Sequence, residues 1–284
     1  MNKIARIFQV RNYADKSFPF EAGFSNNTRV YSELHSHSRE LEIHYITAGR
    51  GTYLINNRLY EFKAGTLLII HRNEIHRLVE IKSSISQYVL YFAPGIFGDY
   101  GDLKTFALKH LFKSTPIVSE FQGAGVELEL IFRSLFTDYK TKSPYWKEAV
   151  ISGLVRLCVL LQGRPAGENK KYNVSGKDKD IEDALTFIDK NYSKELPLEL
   201  IAGTIGLTPN YLSSKFTKTV GMTLKDYIIA KRINEAKKRL ETAPGDKIIS
   251  IAYESGYKDL SNFNHTFKKL TGYTPSAYRK LIKS

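Results

Sequence analysis

A short stretch occurs twice in this sequence, as FTKTVGMTLKDY at residues 216–227 and as FKKLTGYTPSAY at residues 267–278. The two copies align at a constant offset of 51 positions, which pairs Gly221 with Gly272 and keeps an aromatic residue at each end. Self-similarity of this kind indicates an internal duplication. We therefore expect the C-terminal part of the chain to contain two copies of one structural unit.

Each copy has the pattern of a helix, a turn and a second helix. In the first copy Gly206 is suited to end a helix, because glycine accepts the left-handed conformation common at that position. The next helix is predicted to begin at Thr208-Pro209, where the hydroxyl can cap free N–H groups and the proline fits the first turn. Leu212 and Phe216, four residues apart, would then face inward. The pattern predicts a pair of helix-turn-helix units.

The second helix of such a unit lies in the DNA major groove, where polar side chains reach base edges and lysines meet phosphates. The outward-facing residues that we expect to contact DNA are Asn210, Ser213, Ser214, Lys215 and Lys218 in the first copy and Ser261, Asn262, Asn264, His265, Lys268 and Lys269 in the second. Residues 208–239 contain eight Lys or Arg against two acids, and the net charge of +13 favours a polyanionic partner. The sequence thus predicts binding to double-stranded DNA.

The most specific part of the sequence is residues 251–280, which are IAYESGYKDLSNFNHTFKKLTGYTPSAYRK. This run contains the elements G-[YF], F-x-x-x-F-K-K and G-x-[ST]-P, and over residues 180–282 the chain resembles the AraC/XylS family of transcription regulators. Ser250 and Lys258 depart from the residues usual in that family. The resemblance implies an all-α DNA-binding domain in which a long helix, predicted at residues 224–240, joins two helix-turn-helix units.

The N-terminal half has a period of two from residue 29 to residue 92, which is typical of β-strands. Short turns separate the strands, and Asn56-Asn57 is a favourable hairpin turn. The predicted strands are residues 41–47, 51–55, 59–62, 66–70 and 84–92. Many short strands joined by regular turns favour a closed barrel or a jelly roll.

A histidine pattern makes the barrel prediction more specific. His35 and His37 precede Glu42 with the spacing of the first cupin motif, and His76 follows Gly65 with the spacing of the second. The segment resembles the small cupin barrel found at the N-terminus of many AraC-type regulators. It departs from the two motifs at Arg29, His71, Asn73 and Glu80. In cupin enzymes the four matching residues hold a divalent metal, so the resemblance implies a binding site here.

This cluster supports three hypotheses: its residues line a small-molecule pocket in the barrel mouth, they hold a metal, or they are structural histidines without a ligand. We develop the pocket hypothesis, with no metal and no cofactor bound. His44 alternates with Glu42 and Ile46 on one strand face, so we expect it to point into the same cavity. The predicted ligand-binding residues are His35, His37, Glu42, His44 and His76.

Two helices with apolar stripes follow the predicted barrel, at residues 126–139 and 145–162. Packing on the barrel covers one stripe and leaves the other for a partner subunit. Because members of the resembled family pair through such helices, we expect a homodimer formed through helix 145–162. Its predicted seam is Leu154, Leu157 and Leu161.

A chain of 284 residues suggests two domains. We predict a cupin-like ligand-sensing and dimerisation domain at residues 1–163, a flexible polar linker at 164–177 and an AraC-type DNA-binding domain at 178–284. The predicted fold class is α+β, with a β-barrel and two helices followed by an all-α domain. The single cysteine, Cys158, excludes an internal disulfide. Because no apolar run approaches the roughly 20 residues that span a bilayer, we expect a cytoplasmic protein without a membrane partner.

These features predict a sequence-specific transcription regulator, not an enzyme, whose cupin-like domain senses a small molecule. The resemblance further implies a sugar as the effector, activation of transcription and RNA polymerase as a partner. One alternative is a metal-dependent cupin isomerase or dioxygenase fused to a DNA-binding domain, which needs open metal positions and a titratable group near the substrate. Another is an architectural DNA-binding protein without a ligand, which would leave the barrel unexplained.

Overall fold

The computed structural model describes residues 8–9, 11, 13–28, 33–98, 117–120, 125–162 and 179–281. The strands of its N-terminal part are β1 (Phe8–Gln9), β2 (Phe20–Asn27), β3 (Ser36–His37), β4 (Leu41–Ile55), β5 (Arg58–Lys63), β6 (Thr66–Ile70), β7 (His76–Phe92) and β8 (Ile117–Glu120). The main sheet has the order β2-β7-β4-β6-β8, with β5 paired to β4, and its pairs are antiparallel. This architecture confirms the predicted cupin-like β domain.

The two long strands β4 and β7 organise this sheet, because they pair along their whole length and bring Ile55 opposite His76 at one end. The sequence-based division of β4 into two strands is wrong. Register shifts in the middle of the β4–β7 pair mark β-bulges, which allow a strand to bend without ending. β4 is therefore one continuous strand. Gly49 takes a φ of 89° there, and a side chain on it would collide with the backbone of Ser84. Long, bent strands of this kind enclose a cavity between them.

Helices α1 (Gly125–Thr141) and α2 (Trp146–Gln162) follow the sheet and share one apolar core with it. Leu128, Ile131 and Leu135 are the buried side of α1, as helical spacing predicts. The apolar side chains that these two helices expose to solvent are Val126, Leu130 and Val159.

The predicted dimer seam is wrong in its residues. Leu154 and Leu157 have no exposed surface, and Leu161 is partly buried against the same core. The reason is that the apolar stripe of α2 packs on α1 and lies in the apolar core that both helices share with the sheet of the same chain. A seam on these helices would instead use the opposite side, where Val159 is 56% exposed.

The C-terminal part is helical, with α3 (Lys179–Asn191), α4 (Leu198–Thr204), α5 (Pro209–Val220), α6 (Leu224–Thr242), α7 (Ile248–Glu254), α8 (Leu260–Thr271) and α9 (Pro275–Leu281). The pairs α4–α5 and α7–α8 are the two predicted helix-turn-helix units, and α6 is the predicted long helix between them. Gly206 and Gly256 occupy the corresponding turns with φ of 73° and 87°. The sequence therefore located both units and their connection.

The starts of the two second helices differ from the prediction in one detail. Thr208 is the N-cap residue of α5, but its side chain makes no capping hydrogen bond. Pro209 follows it and has no N–H, so this helix start has one donor fewer to satisfy. In α8 the cap is Asp259, whose carboxylate accepts from the N–H of Asn262 at 2.7 Å.

The β domain packs directly on the helical part. Leu54, Leu59 and Ile75 belong to the same apolar cluster as the buried side chains of the C-terminal helices. The backbone N–H of Leu59 also donates to Glu182 of α3 at 3.0 Å. The predicted linker at residues 164–177 lies outside the described residues. Among the helices that the structure describes, none has the length and apolar character to cross a membrane.

Candidate functional site

A cavity of about 400 Å³ opens between β2, β4 and β7. Four of the five predicted ligand-binding residues line it, namely His35, Glu42, His44 and His76. The fifth, His37, does not line the cavity but lies against Glu42 and is 2% exposed. The other lining side chains include Phe24, Asn27, Tyr53, Leu78, Gln87 and Tyr91. The structure thus gathers all five predicted residues at one place.

Glu42 is the centre of the polar groups in this cavity. Its Oε1 accepts hydrogen bonds from His44 Nε2 at 2.8 Å and from the Tyr91 hydroxyl at 2.9 Å. Its Oε2 lies 2.9 Å from His76 Nε2 and 3.0 Å from His37 Nε2. Burial opposes ionisation of Glu42, but His76 and His44 outweigh it and hold its pKa well below the ordinary value. The cavity therefore contains a buried carboxylate surrounded by donors.

The backbone fixes the orientation of two of these histidines. His76 Nδ1 donates to the carbonyl of Glu74 at 2.9 Å, and His35 Nδ1 donates to the carbonyl of Glu33 at 2.8 Å. In both rings Nε2 is then the nitrogen left for a ligand or for Glu42. Burial, together with the adjacent His76, lowers the pKa of His35 to about 3, so this ring is neutral near pH 7. A neutral imidazole can accept a hydrogen bond or bind a metal.

These residues also fit a metal ion. One donor atom from each of His35, His37, Glu42 and His76 lies within 4.8 Å of the other three. His37 Nε2 lies 3.0 Å from Glu42 Oε2, and His37 Nδ1 has no hydrogen-bond partner among the described residues. Imidazole and carboxylate donors suit divalent transition metals. The cluster can therefore hold either a polar ligand or such an ion.

Gln87 and Tyr91 complete the polar lining, although neither residue was predicted from the sequence. Gln87 contacts His44 Nδ1 at 3.2 Å, and Tyr91 donates to Glu42. The two residues are four apart on β7 and so face the same side of the sheet. Side-chain alternation along β7 predicts that the two residues share a face of the strand. Only the β4–β7 register, which pairs Glu42 with Tyr91, shows that this face lies at the site.

The predicted DNA-contacting residues lie on α5 and α8. Those that are exposed are Asn210, Ser214, Lys218, Ser261, Asn262, His265, Lys268 and Lys269, while Ser213, Lys215 and Asn264 are half-buried. A groove of about 1220 Å³ between the two units is lined by Ser213 of α5 and Asn262 of α8. Candidate base-reading residues of both helices therefore share one groove.

Lys215 differs from the other predicted phosphate-binding lysines. Its Nζ forms an ion pair with Asp180 of α3 at 2.8 Å and is not directed freely into solvent. Hydrogen bonding to Asp180 raises the pKa of Lys215, which keeps it charged. A phosphate would have to compete with Asp180 for this ammonium group. Lys218 and Lys268 are the more accessible cations on the two second helices.

Comparisons with known proteins agree with this arrangement of a ligand pocket and a DNA-binding surface. Residues 17–143 match the family described as AraC-like ligand binding domain, and residues 201–281 match the family described as Helix-turn-helix domain. One relative is the uncharacterized HTH-type transcriptional regulator YdiP of Escherichia coli, 23% identical over 92% of this chain and 85% of that protein. Another is the melibiose operon regulatory protein of Escherichia coli, 36% identical over 36% of this chain and 33% of that protein.

A similar solved structure is that of ToxT from Vibrio cholerae, which is 15% identical. The match covers 94% of this chain and all of that one, with a TM-score of 0.38. The relatives found are transcription regulators rather than enzymes. With an AraC-like ligand-binding domain ahead of a double helix-turn-helix domain, the chain belongs to the AraC family of DNA-binding transcription regulators.

Proposed function

We propose that this protein activates transcription at its promoter when a sugar occupies the pocket of the ligand-binding domain. The observation that carries the proposal is the network centred on Glu42, which lies in a cavity of about 400 Å³. This volume is within the range of roughly 300–1,000 Å³ that is usual for small-molecule sites. A few convergent polar groups inside such a cavity orient a ligand that has several hydroxyl groups.

The chemistry of the lining favours a neutral polyol over an anion. Glu42 is ionised and accepts hydrogen bonds, so it can pair with the hydroxyl donors of a polyol but not with a carboxylate or phosphate, which has no proton to donate when ionised. His35 and Gln87 offer neutral groups that can pair with hydroxyls, and Tyr53 provides an aromatic ring. The name of one relative, the melibiose operon regulatory protein, is consistent with a carbohydrate effector.

At the DNA we assign Lys218, Lys268 and Lys269 to phosphates, with Lys215 joining them once it leaves Asp180. The candidate base-reading residues remain Asn210, Ser213, Ser214, Ser261, Asn262, Asn264 and His265. Phosphate contacts fix position, whereas contacts to base edges give specificity. RNA polymerase is the partner that an activator of this kind would recruit.

We assign the homodimer contact to the outer side of α1 and α2. Val126 and Leu130 are 77% and 58% exposed, and Val159 of α2 is exposed as well. An apolar patch of this kind on a soluble protein commonly marks an interaction site. Arg156 of α2 and Glu127 of α1 add a charge of each sign to the same pair of helices. A two-fold contact can use the same patch on both subunits.

A thermal-shift screen of the purified chain against sugars tests the pocket. A sugar present at 100 times its dissociation constant adds about 2.7 kcal/mol to the free energy of unfolding, which is readily measured as a higher melting temperature. Glu42→Gln should abolish this shift, whereas the matched change Glu80→Gln, at an exposed position of β7, should preserve it. Failure of every sugar, or an equal shift in Glu42→Gln, would contradict the proposal.

A divalent metal in the same cluster is the second candidate, favoured by the four donor atoms within 4.8 Å of one another. The metal would supply a positive centre for a sugar hydroxyl, with His35, His37, Glu42 and His76 holding it. Elemental analysis of the purified protein distinguishes this candidate from a pocket that binds the effector directly.

A further inference from the structure

Residues 71–78, which we call the bridging segment, contact both the pocket and the DNA-binding helices. The segment connects β6 to β7 and carries His76 of the pocket. Its backbone is fixed to residues 35–37, which supply two other histidines of the site: His76 and His35 exchange two backbone hydrogen bonds, at 2.8 and 3.0 Å. The N–H of Asn73 also donates to the carbonyl of His37 at 2.7 Å. A shift of the pocket histidines therefore moves this segment.

The same Asn73 holds helix α6. Its backbone carbonyl accepts from Asn234 Nδ2 at 2.5 Å, and its own Nδ2 donates to Glu241 at 2.9 Å. Asn73 has a left-handed backbone with φ of 60°, and it is 2% exposed. One residue thus binds β3 through its N–H and α6 through its carbonyl and side chain.

Arg77, the residue after His76, contacts the C-terminal end of α5, the second helix of the first helix-turn-helix unit. Gly221 terminates α5 with φ of 82°, and the Arg77 guanidinium fills the space that a Cβ atom would need there. A cation at this position also interacts favourably with the carbonyl end of the helix dipole. His76 and Arg77 are adjacent on β7, so a movement of the histidine is passed on within one residue.

A third contact supports the start of α6. The Tyr227 hydroxyl donates to the carbonyl of Asn56 at 3.0 Å. Asn56 in turn bonds to the bridging segment, donating its N–H to Ile75 at 2.6 Å and its Nδ2 to Glu74 at 3.1 Å. The hairpin turn at Asn56 and the bridging segment therefore move together.

We propose that the bridging segment couples the occupancy of the pocket to the position of α5 and α6, and so to the first helix-turn-helix unit. The inference rests on the proposed function only in taking the pocket as the effector site. A ligand that replaces Glu42 as the partner of His76 displaces His76. Two residues near His76 in the bridging segment hold the helices: Arg77 contacts α5, and Asn73 contacts α6. Because coupling between binding sites is reciprocal, DNA bound at α5 changes the ligand affinity by the same factor.

Hydrogen–deuterium exchange of the full chain tests this coupling and needs neither the effector nor the operator. His76→Gln alters the pocket on the bridging segment, whereas the matched control His44→Gln alters the same Glu42 network from β4. We expect His76→Gln to accelerate exchange in α6 by about tenfold, the size of a typical coupling between sites. Exchange in α7 should not change, and His44→Gln should leave both helices as in wild type.

A variant on the DNA-binding side covers the case in which His76→Gln does not fold. Asn234→Ala leaves every pocket residue in place and should accelerate exchange at the amides of Asn73 and His76, both of which donate hydrogen bonds. Unchanged exchange there would overturn the coupling, as would unchanged exchange in α6 of folded His76→Gln or an equal effect of His44→Gln. A sugar screen that fails would contradict the proposed effector but would leave these exchange results intact.

Discussion

Lys237 provides a quantitative test of the contact between the β domain and α6. Its side chain is fully buried, and its Nζ has no hydrogen-bond partner among the described residues. The ammonium group lies 4.2 Å from the ring centroid of Phe8 in β1 and 6.0 Å from that of Tyr278. Burial lowers the pKa of Lys237 from 10.5 to about 7, although the charge of Glu241 opposes the shift.

The effect on stability follows from proton linkage. Between pH 7 and pH 10.5 the unfolded chain binds a proton that the folded chain does not, so the free energy of unfolding rises with pH over this interval. The lowered pKa of Lys237 costs about 4 kcal/mol at pH 7 and about 2 kcal/mol at pH 9. Lys237→Met removes this cost, because methionine has no group to protonate. The variant should be more stable than wild type by about 4 kcal/mol at pH 7 and about 2 kcal/mol at pH 9.

Urea unfolding at both pH values, followed by far-ultraviolet circular dichroism, measures the difference. Lys225→Met is the matched control, because Lys225 is an exposed lysine of the same helix and should show little change at either pH. If Lys237→Met and wild type differ by the same amount at pH 7 and pH 9, the lysine titrates normally. The burial of α6 against Phe8 would then be refuted.

Three further predictions concern the DNA, the dimer and the metal. Lys268→Ala should weaken binding to all DNA sequences and reduce the slope of affinity against salt concentration by about one, whereas Ser214→Ala should change sequence preference. Fluorescence anisotropy over a salt series measures both effects, and unchanged values would exclude these helices as the contact surface. Val159→Glu should dissociate the homodimer without loss of fold, whereas Leu157→Glu should unfold the chain, because Leu157 is buried in its own subunit. Sedimentation velocity and circular dichroism measure the two effects, and an intact dimer in Val159→Glu would contradict the assigned patch. Untagged wild type and His76→Gln should both contain less than about 0.1 equivalent of metal by elemental analysis, because protein donors already satisfy the Glu42 carboxylate. Stoichiometric metal in wild type that is lost in His76→Gln would favour the metal candidate.

The features predicted best from sequence are those fixed by local spacing. Leu212 and Phe216 have no exposed surface, as their four-residue separation on α5 implies. Gly206 takes the left-handed conformation that its place at a helix end requires. The cupin-type spacing likewise identified His35 and His76, which are far apart in sequence but adjacent in space. Each of these inferences needed only the period of a helix or a known motif.

The features that the sequence did not predict depend on which helices and strands contact each other in the folded chain. The apolar stripe of α2 showed that Leu157 would be covered, but whether its own chain or a partner covers it depends on how α1 and α2 pack. Tyr91 joins the pocket through the register of β4 and β7, which side-chain alternation alone does not fix. Asn73 appeared only as a departure from the cupin motif, yet it makes the contacts between β3 and α6.

The contact between the two parts has the energetics expected of a switch. Asn73 Oδ1, Asn234 Oδ1 and Lys237 Nζ are buried at or near it without hydrogen-bond partners among the described residues. Each unsatisfied group costs about 1–3 kcal/mol, which opposes the gain from apolar burial around Ile75 and Leu54. These costs lower the stability of the docked arrangement relative to an open one. A ligand with different affinities for the two arrangements therefore needs a smaller affinity difference to shift this balance than it would at a fully satisfied interface.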